Sequence, residues 1–328
     1  MTDATHFHEP SFHEGERALQ ARVNPQMQQR LAELGPQIIR DHMPDQHRDF
    51  FEQLPFVMAG SVDASGQPWA SVLAGVPGFI ESPDAQSLLI RAQPLAHDPL
   101  AENLTQGASI ALLGIEPHTR RRNRMNGVVE GMDEDGVAVR VSQSFGNCPK
   151  YIQARRAEYM DSAPPGVLHE GKVLDEAARR MIRAADTFFI ATTYPQRDTS
   201  TPSHGVDVSH RGGKPGFVRV DEDGTITAPD FAGNQFFNTL GNLTLEPRAG
   251  LLFIDFDNGG LLYLAVRASI IWDGPELASF EGAQRLVRFA VTAMRTVETA
   301  LPLRFGAAQL SPVLRTTGEW PAPSGGLA

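Results

Sequence analysis

The chain states one pattern twice. A glycine-containing strand pattern at Pro77-Gly78-Phe79-Ile80 returns at Pro215-Gly216-Phe217-Val218. Each copy leads to an Asn-Leu helix end, Asn103-Leu104 and then Asn242-Leu243, and each continues into an apolar strand, Ala108–Ile115 and then Ala249–Ile254. A unit this long holds a whole domain's worth of strands, so it is no solenoid repeat. The pattern predicts a duplicated β domain. A length of 328 residues allows two domains, each large enough to bury its own core.

Charge and composition exclude several function classes. A net charge of -10 argues against a general nucleic-acid surface, although the local run Arg120-Arg121-Arg122-Asn123-Arg124 suits a phosphate-bearing small molecule. The single cysteine, Cys148, cannot form an intrachain disulfide or a cysteine-based zinc site, and reads as a small buried hydrophobe. His6, His8 and His13 lack a carboxylate or cysteine framework and read as solvated, not metal-binding. No apolar run approaches the roughly 18 residues of a membrane span. The first residues are acidic and histidine-bearing where a secretory leader would be basic and then apolar, which places the protein in the cytoplasm with no membrane partner.

Four regions follow. Residues 1–54 read as a helical segment: Leu19, Val23, Met27 and Leu31 recur four apart within Glu16–Leu34, and a second helix covers Asp45–Gln53. Residues 55–150 read as a compact antiparallel barrel. Its first strand, Phe56–Val62, turns at Asp63-Ala64-Ser65-Gly66 into Gln67–Ala74. Ser87–Arg91, Ala108–Ile115, Arg124–Met132 and Val137–Gln143 supply further strands, with a short helix at Pro99–Asn103. Residues 151–187 read as a helical connector interrupted at Pro164-Pro165-Gly166. Residues 188–320 read as a second barrel, with strands at Phe188–Thr193, Gly216–Val220, Thr225–Ala228, Ala249–Asp255 and Leu261–Trp272 and a C-terminal helix over Glu276–Ala300. Tyr194–His204 forms a longer polar loop able to shape a pocket. The end from Pro321 reads as frayed.

Several motifs, in order, carry a resemblance. In the second half they are Asp207-Val208-Ser209-His210-Arg211-Gly212-Gly213, Pro229-Asp230-Phe231-Ala232-Gly233-Asn234, Asn242-Leu243 and Pro247–Phe253. In the first they are Phe79, Asp98-Pro99-Leu100, the arginine-rich strand up to Met125-Asn126-Gly127, and Ser144–Ile152. This series, from about Phe51 to Trp272, resembles the pyridoxamine 5'-phosphate oxidase-like split-barrel flavoproteins. The resemblance implies two tandem six-stranded split barrels, an α+β fold that is mainly β, with FMN at the interface between barrels. The chain is also similar to larger tandem proteins in which a ferredoxin-reductase-like module follows. Electrons are therefore expected from a separate flavin- or ferredoxin-type reductase or directly from a reduced nicotinamide nucleotide; no GxGxxG fingerprint is present.

An FMN site needs a cradle for a phosphate dianion, donors for the ring's polar edge and an apolar wall. Arg211 with Gly212-Gly213 offers a forked guanidinium and turn amides, and Ser209 and His210 add side-chain hydrogen bonds, although the same run would serve an ordinary polar turn. Asn234 and Asn238 stand at the entrance and first turn of the next helix, where asparagine also caps for structural reasons. The family pattern places an Arg or Lys near Gly233-Asn234; here Asn234-Gln235-Phe236 stands instead, and Arg267 is the candidate replacement. Strand alternation sends Arg120, Arg122 and Arg124 to one face, a second anion site or a charged edge strand. Lys150 completes the set.

The resemblance implies an FMN-dependent oxidoreductase acting on an unidentified small molecule, with the cofactor performing the redox step and no side chain marked as an essential acid or base. Pyridoxamine phosphate oxidation itself is disfavoured, because that enzyme's C-terminal Arg-Leu-Ser/Pro type ending is missing. The rival readings are a non-catalytic flavin- or haem-binding carrier or sensor, and a duplicated scaffold without a cofactor. A homodimer is the expected assembly, although duplication allows the barrel pair to form within one chain.

Overall fold

The computed structural model describes residues 11–161, 166–195 and 201–321. His6, His8, Pro164 and Pro165 lie outside the described residues, as do parts of the Tyr194–His204 loop and the end beyond Pro321. The N-terminal helix divides into α1 (Glu14–Val23) and α2 (Pro25–Ile38). Asn24 ends the first and caps the second, its Oδ1 accepting from the Met27 amide at 3.1 Å, with Pro25 in the first turn where its missing N–H costs nothing. The buried His13 caps α1, its Nδ1 accepting from the Gly15 amide, which corrects its reading as solvated. The third helix, α3 (Asp45–Glu52), buries Phe50 and Phe51 against the first barrel.

That barrel is built from β1 (Phe56–Val62), β2 (Pro68–Ala74), β3 (Ile80–Glu81), β4 (Ser87–Ile90), β5 (Ser109–Glu116), β6 (Arg121–Asp133) and β7 (Gly136–Gly146), with α4 (Leu100–Asn103) wedged between β4 and β5. The strand order is β2-β1-β5-β6-β7-β4-β3. After β8 (Ala157–Tyr159), β9 (Val167–Gly171) and α5 (Glu176–Ala184), the second barrel contributes β10 (Thr187–Thr193), β11 (Val206–Gly212), β12 (Arg219–Val220), β13 (Ile226–Phe231), β14 (Arg248–Ile254), β15 (Leu261–Ile271) and β16 (Ala283–Glu298). Helix α6 (Asn238–Leu245) lies between β13 and β14. Its order, β11-β10-β14-β15-β16-β13-β12, repeats the first position by position. The fold is a pair of tandem split barrels.

The repeat extends to buried polar detail. Asn103 donates to Ser61 Oγ at 2.9 Å and Asn242 donates to Thr192 Oγ1 at 3.1 Å, so in each barrel the helix end is tied to the first strand by a bond shielded from water. Each barrel has its own apolar core, the first around Leu73, Leu112 and Val139 and the second around Ile190, Leu251 and Phe289. A third apolar cluster joins the barrels through Met58, Val72, Leu113, Phe189, Val208 and Leu252. Gly250 lets the two approach, because a Cβ there would sit 2.4 Å from the Pro68 carbonyl oxygen.

Two expectations are corrected. Of the stretch read as a C-terminal helix only its start is helical, within the short helix Pro275–Ala278; Ala283–Glu298 is instead β16, 16 residues long, and it pairs with β15, β13 and β9. Its β-branched Val287, Val291, Thr292, Thr296 and Val297 suit a pleated surface, and β13 and β15 both need a neighbour to close the barrel. That tertiary demand outweighs the helix propensity of its Ala, Arg and Glu residues. The connector is also less helical than expected: α5 is its one helix among the described residues, while β9 extends the second sheet and β8 pairs with β17 (Leu303–Phe305).

Candidate functional site

Between the barrels lies a cleft holding about 950 Å³ of empty space, its mouth included. Its lining comes from β6, the turn after β7, β11, the segment running from β13 into α6, the start of β16 and Leu113 of β5. The pairing of β11 with the whole length of β10 revises the reading of Ser209–Gly212 as a turn.

Of the sequence candidates, Arg122, Arg124, Lys150, Ser209, His210, Arg211, Gly212, Asn234 and Asn238 all line this cleft. Arg122 and Arg124 share a face of β6, as alternation requires. Arg120 does not join them: it occupies the preceding turn with φ 60° and donates to the Ile152 carbonyl at 3.0 Å. Arg267 on β15 is exposed and away from the cleft. Gly213 does not line the cleft either; a Cβ there would meet the Phe217 ring at 2.3 Å, so this glycine serves packing. Gly212 is required by the site itself, since a Cβ would fall 2.0 Å from the Tyr151 carbonyl oxygen. Neither asparagine caps α6. Asn234 Oδ1 accepts from the Phe236 amide at 3.2 Å, and Asn238 donates to Glu16 Oε1.

The electrostatics favour an anion. Arg124, only 2 % exposed, donates to Asp207 Oδ1 at 3.0 Å, to the Val208 carbonyl at 2.9 Å and to Ser209 Oγ, which locks one barrel to the other. Arg122 donates to the Cys148 carbonyl at 2.7 Å. Burial, reinforced by the Arg211 charge beside it, pushes Arg122 down to about 9, still protonated at neutral pH. Arg211 is also lowered by burial, and its carboxylate neighbour Asp230, at 3.7 Å, is shared with Arg285 at 3.5 Å. Five cationic side chains thus line a cleft whose one lining carboxylate is Asp230. His210 is held far below its usual range by burial and by Arg122 and Arg211, so it is a neutral imidazole, and its buried Nδ1 has no hydrogen-bond partner.

Sequence reasoning missed three features of the site. Tyr151 and Phe231 stack at 5.0 Å with 26° between planes and form an aromatic wall; both stood in quoted motifs, but nothing in sequence brings them together. Arg285 sits in β16, the stretch read as helix. Glu16 reaches Asn238 from α1, more than two hundred positions away in the chain.

A family model described as pyridoxamine 5'-phosphate oxidase matches residues 43–168. No curated protein matches the chain. Among solved structures it is similar to HupZ of Group A Streptococcus (11% identity, 39% of this chain and 98% of that one, TM-score 0.31). It is similar also to a putative pyridoxamine 5'-phosphate oxidase of Lactobacillus delbrueckii (13% identity, 37% and 93%, TM-score 0.29) and to an F420 reductase (13% identity, 31% and 95%, TM-score 0.23). The family match falls on the first barrel and the connector that follows it, and there the chain is similar to the pyridoxamine 5'-phosphate oxidase-like split barrels. Among the described residues no helix is long and apolar enough to cross a membrane, and no group of three or more His, Cys, Asp or Glu side chains could hold a metal ion.

Proposed function

We propose that this protein is a cytoplasmic FMN-dependent oxidoreductase acting on a small molecule, with electrons drawn from a separate reductase or a nicotinamide nucleotide. The observation that carries the reading is the surplus of buried positive charge beside an aromatic wall: Arg122 and Arg211 with one carboxylate between several guanidiniums, next to stacked Tyr151 and Phe231. The residues present fit the cofactor. A phosphate dianion would relieve the repulsion between Arg122 and Arg211, which offer forked donors, with Lys150 adding a point charge. The unpartnered Nδ1 of His210 and the hydroxyls of Ser209 and Thr239 would serve the polar edge of a ring. When bound, FMN supplies hydride or single-electron exchange. The protein's share is to orient ring and substrate and to exclude water, and a neutral His210 can do so without adding a sixth cation to the cleft. The barrels that frame the cleft come from one chain, so a homodimer, if it forms, need not complete the site.

The test is the absorption spectrum of protein purified from cells, followed by release and identification of its chromophore. Flavin bands with FMN released near one per chain support the proposal. A haem spectrum would transfer it to a haem-binding carrier or sensor, with His210 the first ligand to mutate. A colourless protein that also refuses added FMN ends it.

A further inference from the structure

The segment from Gly233 to Thr239 forms one wall of the cleft, and its backbone is strained. Gln235 and Phe237 both hold left-handed conformations, each with φ 63°, although neither is glycine. Such residues cost on the order of 1 kcal/mol apiece and persist only where the surroundings over-determine them. Here the surroundings are supplied by α1 and by Phe12 just before it. Gln20 donates to the carbonyl of Phe236, the residue between the two strained ones, at 3.2 Å. Glu16, 3 % exposed, accepts from Asn238 through one carboxylate oxygen and from the His13 amide at 2.9 Å through the other. Phe12 packs its ring edge-on against Phe236 at 5.4 Å.

The helix is also seated too closely to be incidental. A Cβ on Gly15 would lie 2.4 Å from the Gly241 carbonyl oxygen, and a Cβ on Gly241 would lie 2.7 Å from the Glu16 nitrogen, so each glycine makes room for the other helix. Tyr194 at the end of β10 donates to Glu14 at 2.6 Å and anchors the same turn of α1 to the second barrel. Through these bonds α1 touches the cleft wall from behind without lining the cleft itself.

We infer that α1 is a brace for the binding site: Glu16 and Gln20 are positioning residues that hold the 235–238 turn in its strained, ligand-ready form. The strain is the reason a brace is needed, since an unbraced turn would relax and the cleft wall would have to be reassembled at each binding event. The inference deepens the flavin-site proposal, and only its ligand arm rests on that proposal.

The experiment is the double variant Glu16→Ala/Gln20→Ala in the full chain, read in two ways. Amide hydrogen exchange should speed up about tenfold or more over residues 233–239 while β10 and β14 keep their protection. FMN affinity, from fluorescence titration, should fall about tenfold. Adding Gln235→Gly should recover much of that loss, because glycine holds the left-handed conformation without strain, and Glu16→Gln alone should lose less than Glu16→Ala. Unchanged exchange over 233–239 overturns the brace whether or not flavin binds. An affinity within twofold of wild type, or a loss that Gln235→Gly does not recover, overturns it where flavin binds. If the protein takes no FMN, the flavin proposal falls and the exchange result alone decides this one.

Discussion

The two barrels repeat one strand order, yet one of the two equivalent places between them is an open cationic cleft and the other is sealed. Ser71–Phe79 and Ser209–Phe217 share Ser, Gly, Pro, Gly and Phe at the same spacing, which aligns β2 with β11. Following the paired residues across each sheet gives the rows Val72, Met58, Leu113, Arg124 and His210, Phe189, Leu252, Tyr263. His210 therefore answers to Val72, Arg211 to Leu73, and Arg124 to Tyr263. Arg124 crosses to Asp207 and Ser209 of the second barrel; Tyr263, fully buried, crosses to the first and donates to Asp98 at 2.9 Å, while Ser71 donates to the same carboxylate at 2.5 Å. The lesson concerns symmetry. Two identical subunits must build both interface sites alike, whereas two barrels in one chain can diverge, so one site keeps its arginines and the other becomes core.

The largest expected effect comes from closing the open site. Gly212→Val drives a side chain into the Tyr151 carbonyl and should destabilise the protein by about 3 kcal/mol or more, seen in urea unfolding, whereas Ala74→Val at the equivalent place in β2 should cost less than half of that. Next, Arg122→Ala and Arg211→Ala should each weaken FMN binding by roughly ten- to a hundredfold, the loss of one charge-assisted contact. Leu73→Ala, the counterpart of the Arg211 change, should reduce stability and leave FMN affinity within about threefold. Equal losses of affinity from both barrels would show that the two places still act as a pair.

Smaller effects sharpen the sealed side. Burial raises the Asp98 carboxyl to about 6 despite the hydrogen bonds it accepts from Ser71 and Tyr263. A folded pKa above the unfolded one means that its contribution to stability is fully present below about pH 4 and is lost as pH rises through about 6. Stability profiles of the wild type and Asp98→Asn should therefore diverge across that window and run parallel above it; parallel profiles throughout would show that Asp98 ionises as freely as in the unfolded chain. Tyr263→Phe should cost about 1–2 kcal/mol with FMN affinity unchanged. Smallest of all, Arg267→Ala should alter stability by no more than about 0.5 kcal/mol and leave FMN affinity alone, because the side chain is exposed and remote from the cleft.

Much of the fold was legible because strands and turns are local events. The hairpin from Phe56 through Gly66 to Ala74 and the apolar runs of β5 and β14 stand where alternation and turn residues put them. Residues 283–298 were misread because Ala, Arg and Glu carry helix propensity, while the need to sit between β13 and β15 is written elsewhere in the chain. The site divides in the same way. Arg122, Arg124 and the Ser209–Gly212 stretch could be picked out because chemistry and spacing mark them. Arg267 does not join the site, since a residue type on a strand says nothing of which side of the barrel its side chain faces.

What the amino-acid sequence by itself determined is the recurring strand pattern of the two halves and the cationic residue types, both of which depend on neighbours within a turn or a strand. What only the tertiary structure decided is which of the two equivalent places is open, that Tyr151 meets Phe231, and that Glu16 and Gln20 stand behind Asn238 and Phe236. Those facts belong to contacts between segments far apart in the chain, and their energy depends on what burial brings together.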